Sequence, residues 1–316
     1  MSIGLHIGLD TSNYTTSAAA VTPAGEVFCA KRPLQVPQGE KGLRQSDALF
    51  CHIRDLPAVV EECMAAARES LGEVHLLSVG ASVSPRRAEG SYMPCFLAGL
   101  GVGRSLASAA GVPFFDLSHQ EGHMEAALYG TACEGRELTD EEFFAFHLSG
   151  GTTELLLVRR DGARFDVSLA AATRDITLGQ LLDRCGVALG LPFPAGAHLE
   201  RLAREGVCRE RIRIPVREGG ICLSGFENQF QKRREAGVSP EDLAAYLFAV
   251  AAAACRALME VAEVGERAVL FSGGVSSSTL LRAALGEENR YYAPAALCAD
   301  NAVGIALLAR KGAANG

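Results

Sequence analysis

Hydrophobic and polar positions change period repeatedly along the chain, and each change marks a new strand or helix. Residues 5–9, 17–21 and 26–31 read as three short strands, separated by a polar turn over 10–16 and by a Pro23-Ala24-Gly25 turn. The same grammar returns about 140 residues later. There, 143–148 reads as a strand, Ser149, Gly150, Gly151, Thr152 and Thr153 as a turn, 154–159 as a strand, Asp161-Gly162 as a hairpin turn and 165–172 as a strand. Between the copies the pattern predicts a helix at 48–70, a strand at 76–83, a helix at 100–110 and a strand opening at Pro113. After the second copy helices dominate, at 178–189 and from 241 to about 262, before a strand at 268–271 and a last helix starting near Asp300. Two copies of one pattern imply two similar domains rather than a solenoid, and the alternation implies an α/β class.

Composition narrows this little. The chain has 316 residues, 48% hydrophobic and 21% charged, which is ordinary for two globular domains with their own cores. Its ten cysteines form no Cys-x-x-Cys pair, so they read as reduced and mostly buried thiols of a cytoplasmic protein. Residues 1–10 lack the basic and apolar regions of a secretory signal. The longest apolar run, 243–255, contains Tyr246 and is too short to span a bilayer, so no membrane partner is expected. A net charge of -7 argues against a generally basic, nucleic-acid-binding surface. Local clusters remain at Arg86 and Arg87, at Arg209, Arg211, Arg213 and Arg217, and at Lys232, Arg233 and Arg234; each is either a solvated face or a local RNA contact.

The chemistry is concentrated where the Pro113 strand ends. Ser118, His119 and His123 follow it, and a spacing of four places both imidazoles on one face of a helix, within reach of a single divalent metal. The plain alternative is two unrelated surface histidines. Glu121 lies two positions after His119 rather than next to it, so the zinc-protease signature is not met. The Gly-Gly turns at 150 and 273 both follow apolar strands, and such turns can aim successive backbone amides at an anion such as a phosphate.

Duplicated strand domains with small polar turns resemble the actin, hexokinase and acetate-kinase superfamily. That resemblance implies a duplicated actin-like, ribonuclease-H-like α/β fold with an interdomain nucleotide and metal cleft, divided at 1–118 with a returning helix 300–316, and 119–299. The order of motifs narrows it further: Gly101-x-Gly103-Arg104-Ser105-Leu106-Ala107, His119-x-Glu121-Gly122-His123, Ser149-Gly150-Gly151, Gly179 with Asp183, Gly190-Leu191-Pro192-Phe193-Pro194-x-Gly196, Ser224-Gly225, Gly273-Gly274-Val275 and Cys298-x-Asp300-Asn301. This series is similar, along essentially the whole chain, to the tRNA threonylcarbamoyladenosine transferase family. The resemblance implies one metal, iron or zinc, on His119, His123 and Asp300, the last of which also suits a helix cap. It implies contacts to an adenine nucleotide or acyl-adenylate from Thr11, Ser12, His147, Leu148, Ser149, Gly150, Gly151, Asp183, Gly196, Gly273, Gly274 and Ser278, and leaves Asp10 as the catalytic carboxylate. The implied reaction moves threonylcarbamoyl from its AMP-activated form to adenosine 37 of tRNA, with no covalent protein nucleophile and with a partner subunit or a second copy of the chain.

Several positions depart from the family pattern. Tyr14 and Thr15 stand where acids are expected, and Ser84, Pro85, Arg86 and Arg87 replace a Gly-Pro-Gly turn. Thr152 replaces a His, Gln180 a Glu, Arg184 a Lys, Glu227 a Lys and Ser278 an Asn. Two alternatives to the standard reaction follow: a paralogue that moves another acyl or carbamoyl group or uses another acceptor, and a non-catalytic scaffold for a true transferase. Three dispersed metal ligands kept in register argue against the scaffold.

Overall fold

The computed structural model describes residues 2–12, 14–35, 43–294, 297 and 301–315. In chain order the elements are β1 (Ile3–Asp10), β2 (Thr15–Val21), β3 (Val27–Pro33), α1 (Gln45–Leu71), β4 (Val74–Ser84), α2 (Phe96–Ala110), β5 (Phe114–Ser118), α3 (His119–Cys133), β6 (Glu142–Leu148), β7 (Thr153–Asp161) and β8 (Arg164–Ala172). They continue as α4 (Leu178–Ala188), α5 (Gly196–Ala203), β9 (Val216–Arg217), β10 (Gly220–Ile221), α6 (Ser224–Glu235), α7 (Pro240–Val261), β11 (Val269–Ser272), α8 (Thr279–Leu285), β12 (Arg290–Tyr292) and α9 (Asn301–Ala314). Two compact units result. The first holds residues 1–130, 160–166 and 299–316, and the second 131–159 and 167–298. Relative to the division expected at 118, the first unit also keeps most of α3 and the tip of the β7–β8 hairpin.

The duplication is explicit in the strand order. One sheet runs β3-β2-β1-β4-β5 and the other, taken from the matching edge, β8-β7-β6-β11-β12. In each, the first strand of its copy pairs antiparallel with the strand that follows it and parallel with the next strand inward, β1 with β4 and β6 with β11. The sequence pattern did not resolve β12, the β9–β10 hairpin, or α5, α6 and α8 as separate pieces.

In the first unit, strand alternation sends side chains to two helical layers. Leu5, Ile7 and Leu9 join Leu56, Val59 and Ala107 in a core under α1 and α2. The opposite face of β1 carries His6 and Gly8: His6 Nδ1 pairs with Ser78 Oγ at 2.8 Å, Ser78 donates to the α9 carbonyl of Ala309, and Gly8 lies directly against Ala302 and Ala306 of α9.

Helix α9 also crosses α3 backbone to backbone. A Cβ on Gly304 would fall on the Gly122 carbonyl, and one on Gly122 would meet Asn301 O at 3.0 Å and Ile305 at 3.1 Å. Both helices therefore need glycine at the crossing, for close approach rather than for an unusual φ.

The second unit is built on larger side chains. Phe146, Phe271 and Tyr292 stack across β6, β11 and β12 with ring centroids 4.9 and 4.7 Å apart. Leu178, Leu181, Phe226, Phe230 and the buried side of α7 close over them. Helix α7 begins at the Ser239 cap with Pro240 in its first turn. At 22 residues it is longer than the apolar run and is, by length and composition alone, able to cross a membrane. Leu243, Leu247, Val250, Ala251, Ala254 and Leu258 along it are buried in the core of this unit, the position of a core helix.

Because the α3–α9 crossing has no room for a methyl group, Gly304→Ala should destabilise the first unit by about 1–3 kcal/mol. Thermal unfolding of the purified variant checks this, with a midpoint lowered by roughly 2–4 °C per kcal/mol. An unchanged midpoint would show that the crossing can open at no cost.

Candidate functional site

Helix α3 starts with a reciprocal cap. Ser118 Oγ accepts from Glu121 N at 3.3 Å, while Ser118 N donates to Glu121 Oε2 at 2.8 Å. Arg164 then holds the same buried carboxylate from Nε at 3.0 Å and from Nη2 at 3.2 Å. Glu121 is thus committed to shaping the helix entry and has no oxygen to spare as a protease base. One residue after the cap, His119 and His123 face one another, ring centroids 4.5 Å apart and nearly perpendicular.

His119 is aimed by Asp10, at the end of β1. Its Nδ1 lies 3.0 Å from Asp10 Oδ1, and the same carboxylate accepts from Ser82 Oγ and, at 2.7 Å, from Ser12 Oγ. Burial alone would raise the Asp10 pKa, but the His119 ring and the hydrogen bonds from His119, Ser82 and Ser12 outweigh it and hold this carboxyl well below the usual range. An ionised carboxylate only accepts, so Nδ1 of His119 carries the proton and Nε2 is left as the basic nitrogen. Expected as the catalytic carboxylate, Asp10 is fully engaged by neighbours and sets the tautomer of His119.

Asn301, the first residue of α9, places its amide nitrogen 3.0 Å from His119 Nδ1 and 3.3 Å from Nε2, and its buried Oδ1 has no hydrogen-bond partner among the described residues. Asp300, expected as the third metal ligand, lies outside the described residues. Among those described, no three His, Cys, Asp or Glu side chains converge as a metal cluster. Asn301 was not anticipated. The sequence signal available was its position directly after Asp300, three residues before the Gly304 crossing.

Other expected contacts of the first unit do structural work. Thr11 Oγ1 donates to Cys95 O at 3.0 Å and accepts from Gly99 N at 3.2 Å, tying the β1 turn to α2. Tyr14 is 43% exposed, and Arg87 lies 3.5 Å from Asp161. His52, fully buried on α1, bonds Thr16 through Nδ1 at 2.8 Å, and its Nε2 has no partner among the described residues.

The second unit contains a cavity of about 290 Å³. Gly150, Asp183, Gly196, Gly274 and Ser278, all expected to contact nucleotide, line it. Each is positioned by local structure. The loop at Gly150 packs against the first turn of α4, where Gly179 admits it because a Cβ there would strike Ser149 O and Gly150. Asp183 Oδ1 accepts from Ala195 N at 2.8 Å at the entry to α5, and Ser278 Oγ caps α8 by accepting from Leu281 N at 3.2 Å. Other expected contacts lie off this lining: Leu148 is buried in the core, Ser149 Oγ accepts from Gly151 N and Thr152 N within its own turn, and His147 and Gly273 shape the strand ends.

Glu200 also lines the cavity and was not anticipated. It accepts from Thr279 Oγ1 at 2.6 Å, Thr279 N at 2.9 Å and Leu280 N at 3.2 Å, fastening α5 to the start of α8. Burial opposes its ionisation, but these donors outweigh it and hold its pKa below the ordinary value.

Two departures from the family pattern prove to be paired or conservative. Arg184 Nη1 lies 3.1 Å from Glu227 Oε2, so the charge reversed at 227 is met by the positive charge kept at 184. Gln180 completes a capping box with Thr177, accepting from Thr177 N at 3.3 Å and donating its own N to Thr177 Oγ1 at 3.0 Å. Burial pushes the Cys185 and Cys255 thiols up to about 12, so neither is a thiolate near neutral pH.

Comparison with known proteins follows the same lines. The family profile described as tRNA N6-adenosine threonylcarbamoyltransferase matches residues 35–307. The curated protein of that name from Methanopyrus kandleri is 28% identical over 310 residues, 95% of this chain and 85% of its own. The one from Rhizobium etli (strain CFN 42) is 30% identical over 332 residues, 95% of this chain and 86% of its own. Among solved structures, HypF from T. kodakarensis aligns with a TM-score of 0.58 at 15% identity, covering 99% of this chain and 48% of HypF. The activator of the 2-hydroxyisocaproyl-CoA dehydratase from Clostridium difficile, with bound ADPNP, aligns at 0.51 and 14%, covering 98% of this chain and 96% of the activator. At such identities the likeness is one of fold, the two-domain actin-like architecture.

Burial drives the His52 pKa down to about 4 from 6.5, although Asp10 and Asp55 pull the other way. The unfolded chain then binds the extra proton first as pH falls, so stability is present above about 6.5 and is lost between there and about 4. This group should contribute a loss of about 3 kcal/mol across that window. Denaturant midpoints measured from pH 7 to pH 4 check it, and His52→Gln should flatten the slope.

Proposed function

Because the chain belongs to the tRNA N6-adenosine threonylcarbamoyltransferase family, we propose that it transfers a threonylcarbamoyl group from an adenylate to the exocyclic amine of an adenosine in tRNA. The observation that carries this reading is the convergence of Gly150, Asp183, Gly196, Gly274 and Ser278, distant in sequence, on one cavity able to take part of an adenylate. Glycine-lined turns suit phosphate, while Asp183 and Glu200 are carboxylates of the kind that accept from ribose hydroxyls.

His119 and His123 would hold one divalent metal, iron or zinc, with Asp300. The donor set fits: two imidazoles side by side, one with its tautomer fixed by a buried carboxylate, and beside them Oδ1 of Asn301, without a partner among the described residues. Such an ion, when bound, supplies Lewis-acid polarisation of the transferred carbonyl. The protein's own part is positional. Asp10 keeps the proton on His119 Nδ1 and so keeps Nε2 basic, Ser82 and Ser12 keep Asp10 in place, and Glu121 with Arg164 fixes the helix that carries both rings. Phe50, 67% exposed, and Ile53, 57% exposed, lie three residues apart on α1 and offer an apolar face to the partner subunit that such a transferase would use.

A different acceptor for the same chemistry is the second reading. It is favoured by the exposed Tyr14 and by Arg86 and Arg87 where the family pattern has acids and a glycine turn.

Complementation of a strain depleted of its own transferase tests the first reading, with the modified nucleoside in total tRNA as the readout. Wild-type chain should restore it and His119→Ala should not. Soluble expression without modification would move the assignment to the second reading. In purified protein, Asp10→Asn should weaken metal affinity roughly 10–100-fold through loss of the histidine's orienting partner. Metal titration checks that, and retained affinity would remove Asp10 from the positioning role.

A further inference from the structure

The segment from the end of α5 through β9 carries four arginines, at 209, 211, 213 and 217, whose positive charge nothing in their unit neutralises. Most arginines of this chain are spoken for: Arg174 pairs with Glu218, Arg184 with Glu227, Arg204 with Glu200 and Arg267 with Glu142. Arg209, Arg211, Arg213 and Arg217 make no hydrogen bond or ion pair among the described residues. All four are exposed.

Their direction follows from alternation. Ile212 and Ile214 are half-buried against the core of the second unit, as is Cys208, while Arg211 and Arg213 between them point to solvent. Alternation of this kind is that of an extended chain, which spaces Arg211 and Arg213 about 6.6 Å apart on one side. The apolar partners lock the row in place, so the charges form a ridge rather than a set of loose side chains.

The acids beside the ridge are mostly cancelled. Glu210, inside the run, is gripped by both terminal nitrogens of Arg233 at 2.6 and 2.8 Å, and Glu218 is held by Arg174 at 3.1 Å. A groove of about 680 Å³ runs along the ridge, lined by Arg211, Arg213 and Arg256 with a floor of Ala249, Ala252 and Ala253. Glu210 and Glu260 are its acids. A regular row of guanidinium groups matches a charge repeated at constant spacing, which a phosphate backbone presents and the carboxylates of a folded protein do not.

We propose that this ridge is where the second unit docks the phosphate backbone of its RNA substrate. The proposal rests on the tRNA reading above and adds the surface that engages the nucleic acid outside the nucleotide cavity. Contacts of this kind position the RNA and carry no sequence information. They also explain how a chain of net charge -7 can bind a polyanion at one face.

The test is tRNA-transcript affinity as a function of salt for the full chain and two variants of equal charge change. Arg211→Gln with Arg213→Gln removes two charges from the ridge, and Arg68→Glu changes the net charge equally at an exposed position of α1. The ridge variant should bind roughly tenfold more weakly at physiological salt, with a log–log salt slope shallower by about 1.4–1.8. Arg68→Glu should match wild type, and both should keep the wild-type unfolding midpoint and adenine-nucleotide affinity. Equal losses in the two variants would reduce the effect to net charge and overturn the ridge. Wild-type affinity and slope in the ridge variant would overturn it while leaving the tRNA reading intact. Nucleotide binding without any RNA binding by wild-type chain would overturn both. Loss of an acidic protein partner in place of RNA would reassign the surface to that partner.

Discussion

The contact on which the first unit turns is the meeting of two backbones, at Gly122 of α3 and Gly304 of α9. Each glycine stands within three residues of a functional side chain: His119 and His123 flank the first, and Asn301 precedes the second. Removing both Cβ atoms lets the helices approach until the start of α9 reaches the imidazoles of α3. Helix α9 is pressed against β1 by the same means at Gly8, so the strand that ends in Asp10 and the helix that begins with Asn301 are fixed to one another. Small residues here set distances among polar groups that are far apart in the chain, and the part-buried Asp10–His119 pair is the outcome.

The second unit reaches its site differently. Its sheet repeats the strand order of the first, but the space next to the 149–152 and 273–278 turns is closed by helices that cap one another through side chains: Thr177 with Gln180, Asp183 with the entry to α5, Glu200 with the entry to α8, and Ser278 with α8 itself. Of these groups, Asp183, Glu200 and Ser278 satisfy helix ends and line the cavity at once. Gln caps as Glu does, and the positive charge kept at Arg184 meets the charge reversed at Glu227 as an ion pair.

Period and punctuation made most of the strands, the long helices and the duplication readable from the chain, because a strand's alternation and a Gly-Gly turn are local facts. The pairing of His119 with His123 was readable for the same reason, being one helical turn. What sequence could not supply was register between distant segments. Asn301 reaches His119 only because two glycines allow a crossing, Glu200 reaches the cavity only because α5 lies over α8, and the reversal at Glu227 looked like a loss until its partner at 184 was seen across 43 positions. The short pieces β12, α5 and α8 were missed because none of the three has enough residues for a period to emerge.

The first unit is discontinuous, closed by a hairpin tip from 160–166 and by α9, whereas the second lies wholly within 131–298. During synthesis from the ribosome, the second unit therefore has its complete sequence available before the first does. The sheet of the first unit emerges before the second unit and must wait, with the Gly8 and Gly122 surfaces uncovered, for a helix that follows it. Asp10 and His119 are thus translated before the second unit and Asn301 after it, so their shared pocket can be completed only once the whole second unit has been made.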